Sequence, residues 1–182
     1  MPESPARKPL RLLPLLAAGG IFLSACSPQP EGVSRRELDP ERVAFAVSEA
    51  ETLRARGHRV WCVPFARNAS GISIYGNAKT WWQQAQEGFA KRQRPTVGAV
   101  MAFRATPSLP LGHVAVVSRV LEPRKILIDH ANWHRNRVSL GMAVIDVSED
   151  NDWSAVRVES HPGAFGRTYP VRGFISPAPQ NS

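Results

Sequence analysis

Three short segments carry side chains that together could cleave an amide bond. Cys62 lies in the run WCVPFAR, His113 opens the run HVAVV, and His130 and Asn132 belong to the run DHANW. A thiolate nucleophile needs a base that takes its proton, and the base needs a third polar group that orients it. A cysteine followed along the chain by a histidine and then by polar residues is therefore the outline of a cysteine hydrolase.

Cys62 stands where a short helix, residues 63–69, is predicted to begin. The free N–H groups and the dipole of a helix N-terminus favour a thiolate, and they can also bind a developing oxyanion. We therefore expect the helix start to lower the pKa of Cys62. The alternative interpretation is a packed thiol without a chemical role.

His113 opens a Val-rich strand, residues 113–120, and shares one face of it with Ala115 and Val117. An isolated histidine at a strand end is more often structural. Its place downstream of Cys62 favours a general base, which would take the thiol proton and later protonate the leaving amine.

Strand alternation selects the third group. In residues 125–133, His130 and Asn132 fall on one face of a regular strand and Asp129 falls on the other. His130 would accept a hydrogen bond from His113 through a neutral ring nitrogen. Asn132 would use its amide oxygen, or could instead help to bind the oxyanion. Asp129 stays in reserve, because a bulge would reverse the alternation.

The N-terminal residues 1–25 have the composition of an export signal. Three basic residues precede an apolar run, residues 12–23, that is too short to span a membrane comfortably. The run ends in LSAC, which looks like a bacterial lipobox and implies diacylation of Cys26. Ser27 follows, with no aspartate to retain the protein at the inner membrane, so an outer-membrane lipoprotein is favoured. The alternative is a plain secretory signal cleaved near Ala25.

Lipidation would leave Cys62 without a disulfide partner, because Cys26 is the other of the two cysteines. An unpaired thiol in an oxidising compartment is a liability unless it has a function. A disulfide between Cys26 and Cys62 is the competing use, and it would tie the polar tether, residues 26–39, to the folded domain.

Composition and charge indicate one globular domain and argue against nucleic-acid binding. The 182 residues are 43% hydrophobic and 21% charged, which is ordinary for one globular domain. The net charge of +8 falls to +6 without residues 1–25, which hold three basic residues and one acidic residue. The basic residues are scattered and no nucleic-acid motif accompanies them, so nucleic-acid binding is not expected. Mild attraction to an anionic envelope remains compatible with this charge.

Helical patterns come first along the chain and strand patterns follow. Helices are predicted at residues 40–56, 63–69 and 78–86, the first capped by Asp39. Strands are predicted at six places: 97–103, 113–120, 125–131, 143–147, 154–159 and 171–175. This order predicts an α+β domain over residues 40–176, with N-terminal helices packed on an antiparallel sheet and a disordered tail at 177–182.

The ordered set of motifs, over about residues 60–160, resembles a CHAP domain, a cysteine, histidine-dependent amidohydrolase/peptidase. The resemblance implies a papain-like or NlpC-like fold, with Cys62 as nucleophile and His113 as base. Members of this family usually orient the base with a glutamate or an asparagine. Here His130 takes the glutamate position and Asn132 matches the asparagine, which leaves the third role open.

The resemblance also implies a substrate, because such enzymes typically cut amide or peptide bonds of peptidoglycan. Four aromatic residues could line its groove, although two of them are expected in the core: Tyr75, Trp81, Trp82 and Trp133. No metal or other cofactor is expected. The alternatives are a non-catalytic envelope-binding module and an amidase of a small-molecule conjugate.

Overall fold

The computed structural model describes residues 38–86 and 88–177, which contain three helices, one 3₁₀ turn and seven strands. The helical elements are α1 (Pro40–Ala55), α2 (Cys62–Ser70), the 3₁₀ turn (Ala78–Thr80) and α3 (Trp81–Gln84). The strands are β1 (Phe89–Arg92), β2 (Val100–Phe103), β3 (His113–Glu122), β4 (Lys125–Ala131), β5 (Val138–Asp146), β6 (Ala155–His161) and β7 (Ala164–Pro177). The predicted signal peptide, the lipidation of Cys26 and residues 178–182 of the predicted tail lie outside the described residues.

All seven strands pair antiparallel in one sheet. Their order is β1-β7-β2-β3-β4-β5-β6, and β6 pairs back with β7. The 14-residue β7 makes this closure possible, because its residues 164–170 pair with β6, whereas its residues 171–177 pair with β2 on one edge and with β1 on the other. Six strands therefore form a small barrel, which leaves β1 as an added edge strand.

The sheet separates two apolar clusters. Along β2, Val100 and Ala102 belong to a cluster shared with the helices, whereas Met101 and Phe103 belong to a cluster made without them. This alternation is the period of two that a strand imposes. We call the first cluster the outer core and the second the inner core, which fills the barrel.

The helices cover the outer core through α2, which contacts β3 and β4. Helix α1 begins as predicted, since Oδ1 of Asp39 accepts the N–H groups of Glu41 and Arg42 at 3.0 and 3.3 Å. Its contacts are with α2. The prediction of a mixed α+β domain is confirmed in this coarse form, but the packing of both N-terminal helices on the sheet is not.

Several elements differ from the predicted ones. Strand β1 was not predicted, and the expected helix at 78–86 is divided into the 3₁₀ turn and the four-residue α3. Strand β7 begins seven residues earlier than the predicted strand at 171–175, and it runs through Pro177, the first residue of the predicted tail. Its ladder spans three partner strands, a long-range pairing that local periodicity does not reveal.

Candidate active site

Cys62 is the first residue of α2, whose N-terminus is left uncapped. The N-cap residue, Trp61, has extended backbone angles and makes no side-chain capping bond. The first N–H groups of a helix have no partner within the helix. Pro64, in the first turn, has no N–H to leave unpaired. The N–H groups of Cys62 and Val63 are therefore available to the thiol or to a bound group.

Three backbone N–H groups face the sulfur of Cys62. They belong to Cys62, to Val63 and to Val114, the residue after His113, and each stabilises the thiolate. Burial opposes them and is the larger effect, so the pKa of the thiol is raised from its model-compound value of 9.0. The expected lowering of this pKa is therefore wrong for the free protein, although the predicted helix-start donors are present.

His113 and His130 form a direct hydrogen bond. Nε2 of His113 lies 2.9 Å from Nδ1 of His130, and the two side chains are 3% and 0% exposed. His113 opens β3 on the face of Ala115 and Val117, which belong to the inner core. The two histidines therefore stand at one end of the barrel interior, on neighbouring strands.

Aromatic rings enclose this pair. The ring centroid of Trp133 lies 5.1 Å from that of His113 and 5.6 Å from that of His130, and Phe103 lies 5.6 Å from His113. Tyr169 packs on Trp133 at 4.8 Å. Burial in these surroundings lowers the pKa of His113 to about 3. It also lowers the pKa of His130 well below its usual value, helped by the neighbouring positive charge that His113 and His134 can carry.

The sulfur of Met142 determines where the protons of the two rings sit. Nε2 of His130 lies 3.2 Å from Sδ of Met142, and a thioether can only accept a hydrogen bond. Nε2 of His130 therefore carries the single proton of that neutral ring, and its Nδ1 accepts from Nε2–H of His113. Nδ1 of His113 is then left unprotonated, as a base must be.

Asn132 has a different partner from the one predicted. Its Oδ1 accepts the N–H of Asn136 at 2.9 Å, within the turn between β4 and β5. Oδ1 of Asn136 in turn accepts the N–H of Val60 at 2.7 Å. The amide oxygen of Asn132 thus holds this turn, and that of Asn136 ties the turn to the segment ahead of α2. His130 is the candidate that contacts His113.

Asp129, the reserve candidate, holds a bulge in the sheet. Its Oδ1 accepts the N–H of Gly141 at 2.7 Å, where the register of β5 against β4 shifts by one residue. Burial raises the pKa of this carboxyl. The extra residue lies on β5, so β4 keeps its alternation and Asp129 points away from the side of His130, as predicted.

The four predicted substrate aromatics are in different surroundings. Trp81 is 0% exposed in the outer core, so it is one of the aromatic residues that pack in the core and do not line a groove. Trp82 is half-buried against the outer core, with Nζ of Lys91 5.5 Å from its ring centroid. Tyr75 is 61% exposed beneath the guanidinium of Arg67, at 4.4 Å. Trp133 is half-buried and touches both histidines.

Sequence reasoning missed two groups that position the site, Met142 and Asn136. Both follow the run DHANW in the chain, and neither belongs to a recognisable motif. A positive φ of 59° at Asn136 is typical of a turn asparagine, but its side-chain bond to Val60 spans 76 positions. Nothing in the local sequence signals such a contact.

Within residues 38–86 and 88–177, no group of three or more His, Cys, Asp and Glu side chains is placed to hold a metal ion. The same residues contain no helix that is long and apolar enough to cross a membrane.

Comparison with known families and proteins gives two matches. Residues 54–132 match the family described as the CHAP domain, a span that includes Cys62, His113, His130 and Asn132. The chain is also 32% identical over 111 residues to "Probable autolysin SsaALP" of Staphylococcus aureus. That alignment covers 58% of this chain and 40% of the autolysin, so the chain spans less than half of that relative's length.

The buried histidines predict a loss of stability in mild acid. An unfolded chain takes up a proton at His113 below its ordinary pKa of 6.5, whereas the folded protein does so only near 3. The full contribution of the neutral histidines to the free energy of unfolding is therefore present above pH 6.5. As the pH drops below 6.5, the free energy of unfolding falls by about 1.4 kcal/mol per pH unit for each such histidine. Urea unfolding at pH 7, 6 and 5 measures this slope.

The variant His113→Asn removes one of the titrating groups, so its unfolding free energy should fall less steeply over the same pH range. Equal slopes in the variant and the wild type, or a wild-type stability that does not change between pH 7 and 5, would show that the histidines are not held neutral.

Proposed function

We propose that the domain is a cysteine amidohydrolase or endopeptidase that cleaves amide or peptide bonds of peptidoglycan. The observation that carries the proposal is the bond between His113 and His130 at the start of β3, where the next residue, Val114, donates its N–H to the sulfur of Cys62. The CHAP match over residues 54–132 and the name of the staphylococcal autolysin support the choice of reaction and substrate.

The reaction begins from a neutral thiol and a neutral imidazole. Nδ1 of His113 takes the thiol proton as the sulfur attacks the substrate carbonyl. The N–H groups of Cys62 and Val63, which face the sulfur in the free protein, stabilise the negative charge that develops on the carbonyl oxygen. The imidazolium of His113 then protonates the leaving amine, and an acyl-thioester remains on Cys62.

Hydrolysis of the thioester repeats these steps with water. Nδ1 of His113 takes a proton from a water molecule while the oxygen of that water attacks the acyl carbon. The C–S bond breaks, the carboxylic acid product leaves, and the proton returns to the sulfur of Cys62. Throughout both halves, His130 accepts from Nε2–H of His113 and so keeps that ring in the orientation and tautomer that expose Nδ1.

The raised pKa of the thiol fits a base-assisted mechanism. With few thiolates at rest, attack depends on proton transfer to His113 at the moment a substrate is bound. The same feature supports a second candidate, a non-catalytic envelope-binding module, because a thiol with a raised pKa is a weak nucleophile. Turnover of cell wall separates the two.

Substrate contacts are proposed for three exposed or half-buried aromatic residues that pack on the histidine pair or lie beside α2. Trp133 packs on the histidine pair. The exposed ring of Tyr75 stacks under the guanidinium of Arg67, a residue of α2. Trp61, which precedes Cys62, is 43% exposed. Aromatic faces of this kind suit sugar rings and peptide backbones, since both bury apolar surface on them.

The location proposed for the protein is the bacterial envelope. A lipid on Cys26, with residues 26–39 as a tether, would hold the domain at the membrane beside peptidoglycan, and the outer membrane is favoured. This placement rests on the sequence of the first 26 residues and on the resemblance of LSAC to a lipobox.

Removal of the sulfur of Cys62 should abolish hydrolysis without unfolding the domain. The variant Cys62→Ala loses the nucleophile, so the rate of release of soluble fragments from purified peptidoglycan should fall by at least about 10³-fold. Mass spectrometry of the wild-type digest then identifies the cleaved bond from the new termini.

Cys62→Ser serves as the matched control, since it keeps a hydroxyl in the same place and should also be nearly inactive at neutral pH. If wild type and Cys62→Ala release fragments equally, the thioester mechanism is wrong. If neither releases any while both bind the cell wall, the binding module is the correct function.

Met142 is predicted to be a positioning residue for the base. The variant Met142→Leu keeps the apolar volume but removes the acceptor facing His130, so kcat should fall about fivefold, the loss of roughly 1 kcal/mol, with KM unchanged. Met142→Gln restores an acceptor and should recover part of the rate. Equal losses in both variants would indicate a packing role alone.

A further inference from the structure

A groove of about 740 Å³ is lined by the 3₁₀ turn, by α3 and by residues that follow β2, and it has no part in the chemistry described above. Three cationic side chains line it: Lys79, Arg104 and Arg172. The other lining residues are Thr80, Gln83, Gln84, Gln86 and Ala105, so no carboxylate occurs among the described residues that line it. The groove has the volume of a ligand site. Its lining side chains carry positive charges and amide groups.

The sheet places this groove at the same end of the barrel as the histidines. Phe103, the last residue of β2, pairs with His113 on one side and with Val171 on the other. Arg104 follows Phe103 directly, and Arg172 follows Val171. Since neighbouring strands lie about 4.8 Å apart, the backbone of Arg104 and Arg172 is within one or two strand spacings, roughly 5–10 Å, of the backbone of His113.

A backbone hydrogen bond and a close backbone contact connect Lys79, at the edge of the groove, to the loop ahead of β3. The N–H of Lys79 donates to the carbonyl of Leu111 at 2.8 Å. Gly112 has a φ of +69°, and a Cβ at this position would lie 2.9 Å from the nitrogen of Lys79. Only glycine fits so close an approach. The groove and His113 are therefore held by the same short segment.

The side chains are suited to carboxylates on an extended peptide. Guanidinium groups bind carboxylates through charge-assisted hydrogen bonds, and a lysine adds a mobile point charge. In the described part of the chain, neither Lys79 nor Arg172 makes an ion pair. Glutamine amides in the lining offer acceptors for peptide N–H groups, as the oxygen of Gln84 does while its NH₂ group donates to Tyr75 and Thr80. A purely phosphate-binding surface does not need such acceptors.

We propose that this groove, defined by Lys79, Arg104 and Arg172, binds the carboxylate groups of an acidic peptide. The peptide lies across the end of the sheet with the carboxylate two or three residues from the bond presented to Cys62, since an extended chain advances about 3.3 Å per residue. This inference rests on the proposed function and deepens it, because it assigns a charge preference to the substrate.

Binding to the full-length Cys62→Ala protein tests the groove without any need for turnover. The probes are a peptidoglycan stem peptide with free carboxylates and the same peptide with every carboxylate amidated, each titrated by calorimetry at low and moderate salt. The free-acid peptide should bind at least about tenfold more tightly, since charged hydrogen bonds contribute more than neutral ones. This preference should shrink as salt is added.

The second set of titrations compares a double variant of the groove with a single-substitution control outside it. Lys79→Gln with Arg172→Gln in the Cys62→Ala background should remove the tenfold preference. The control, Lys125→Gln, removes a cation at the opposite end of the β3–β4 hairpin and should leave the preference intact. Equal binding of the two peptides, or an unchanged preference after Lys79 and Arg172 are replaced, would overturn the proposal.

A competitor identifies the class of ligand, and wild-type turnover separates this proposal from the proposed function. If a glycerol-phosphate polymer displaces the peptide from the groove and binds more tightly, the groove serves a phosphate polymer and the peptide assignment is wrong. If the free-acid preference holds but wild type cleaves no peptidoglycan, the hydrolase proposal fails while the groove stands.

Discussion

The candidate site depends on one buried hydrogen bond, between Nε2 of His113 and Nδ1 of His130. Burial makes this contact decisive, because two imidazoles removed from water must both be neutral and must share a single proton between facing nitrogens. The thioether of Met142 settles which nitrogen holds the other proton. A neutral imidazole with a defined free nitrogen, Nδ1 of His113, follows from packing alone, as the proposed general base requires.

The barrel supplies the geometry that this bond requires. Strands β3 and β4 are neighbours, so the start of one and the end of the other meet at the same edge. Helix α2 packs on both strands and brings its uncapped N-terminus to the backbone of Val114. The turn after β4 reaches back through Asn132 and Asn136 to Val60. The sheet, helix α2 and the turn after β4 thus all help to fix the segment that carries Cys62.

Residue type and chain order selected the residues of the candidate site, of which the structure brings His113 and His130 into contact, but they did not predict the electrostatics of these residues. Cys62, His113 and His130 could be selected because nucleophile, base and orienter must recur in a usable order, and strand alternation set His130 apart from Asp129. The direction in which the pKa of the Cys62 thiol is shifted could not be predicted, since desolvation depends on packing across the whole domain. Barrel closure by β7 and the contact with Met142 join distant segments, for which local periodicity carries no signal.

The proton arrangement of the two rings is the most direct test of this account. Nitrogen-15 NMR of histidine-labelled protein, assigned with His113→Asn and His130→Asn, reports the protonation of each ring nitrogen. The account predicts that both rings carry one proton on Nε2 and that neither gains a second between pH 7 and 5. A proton on Nδ1 of His130, or an imidazolium at either position at pH 6, would contradict it.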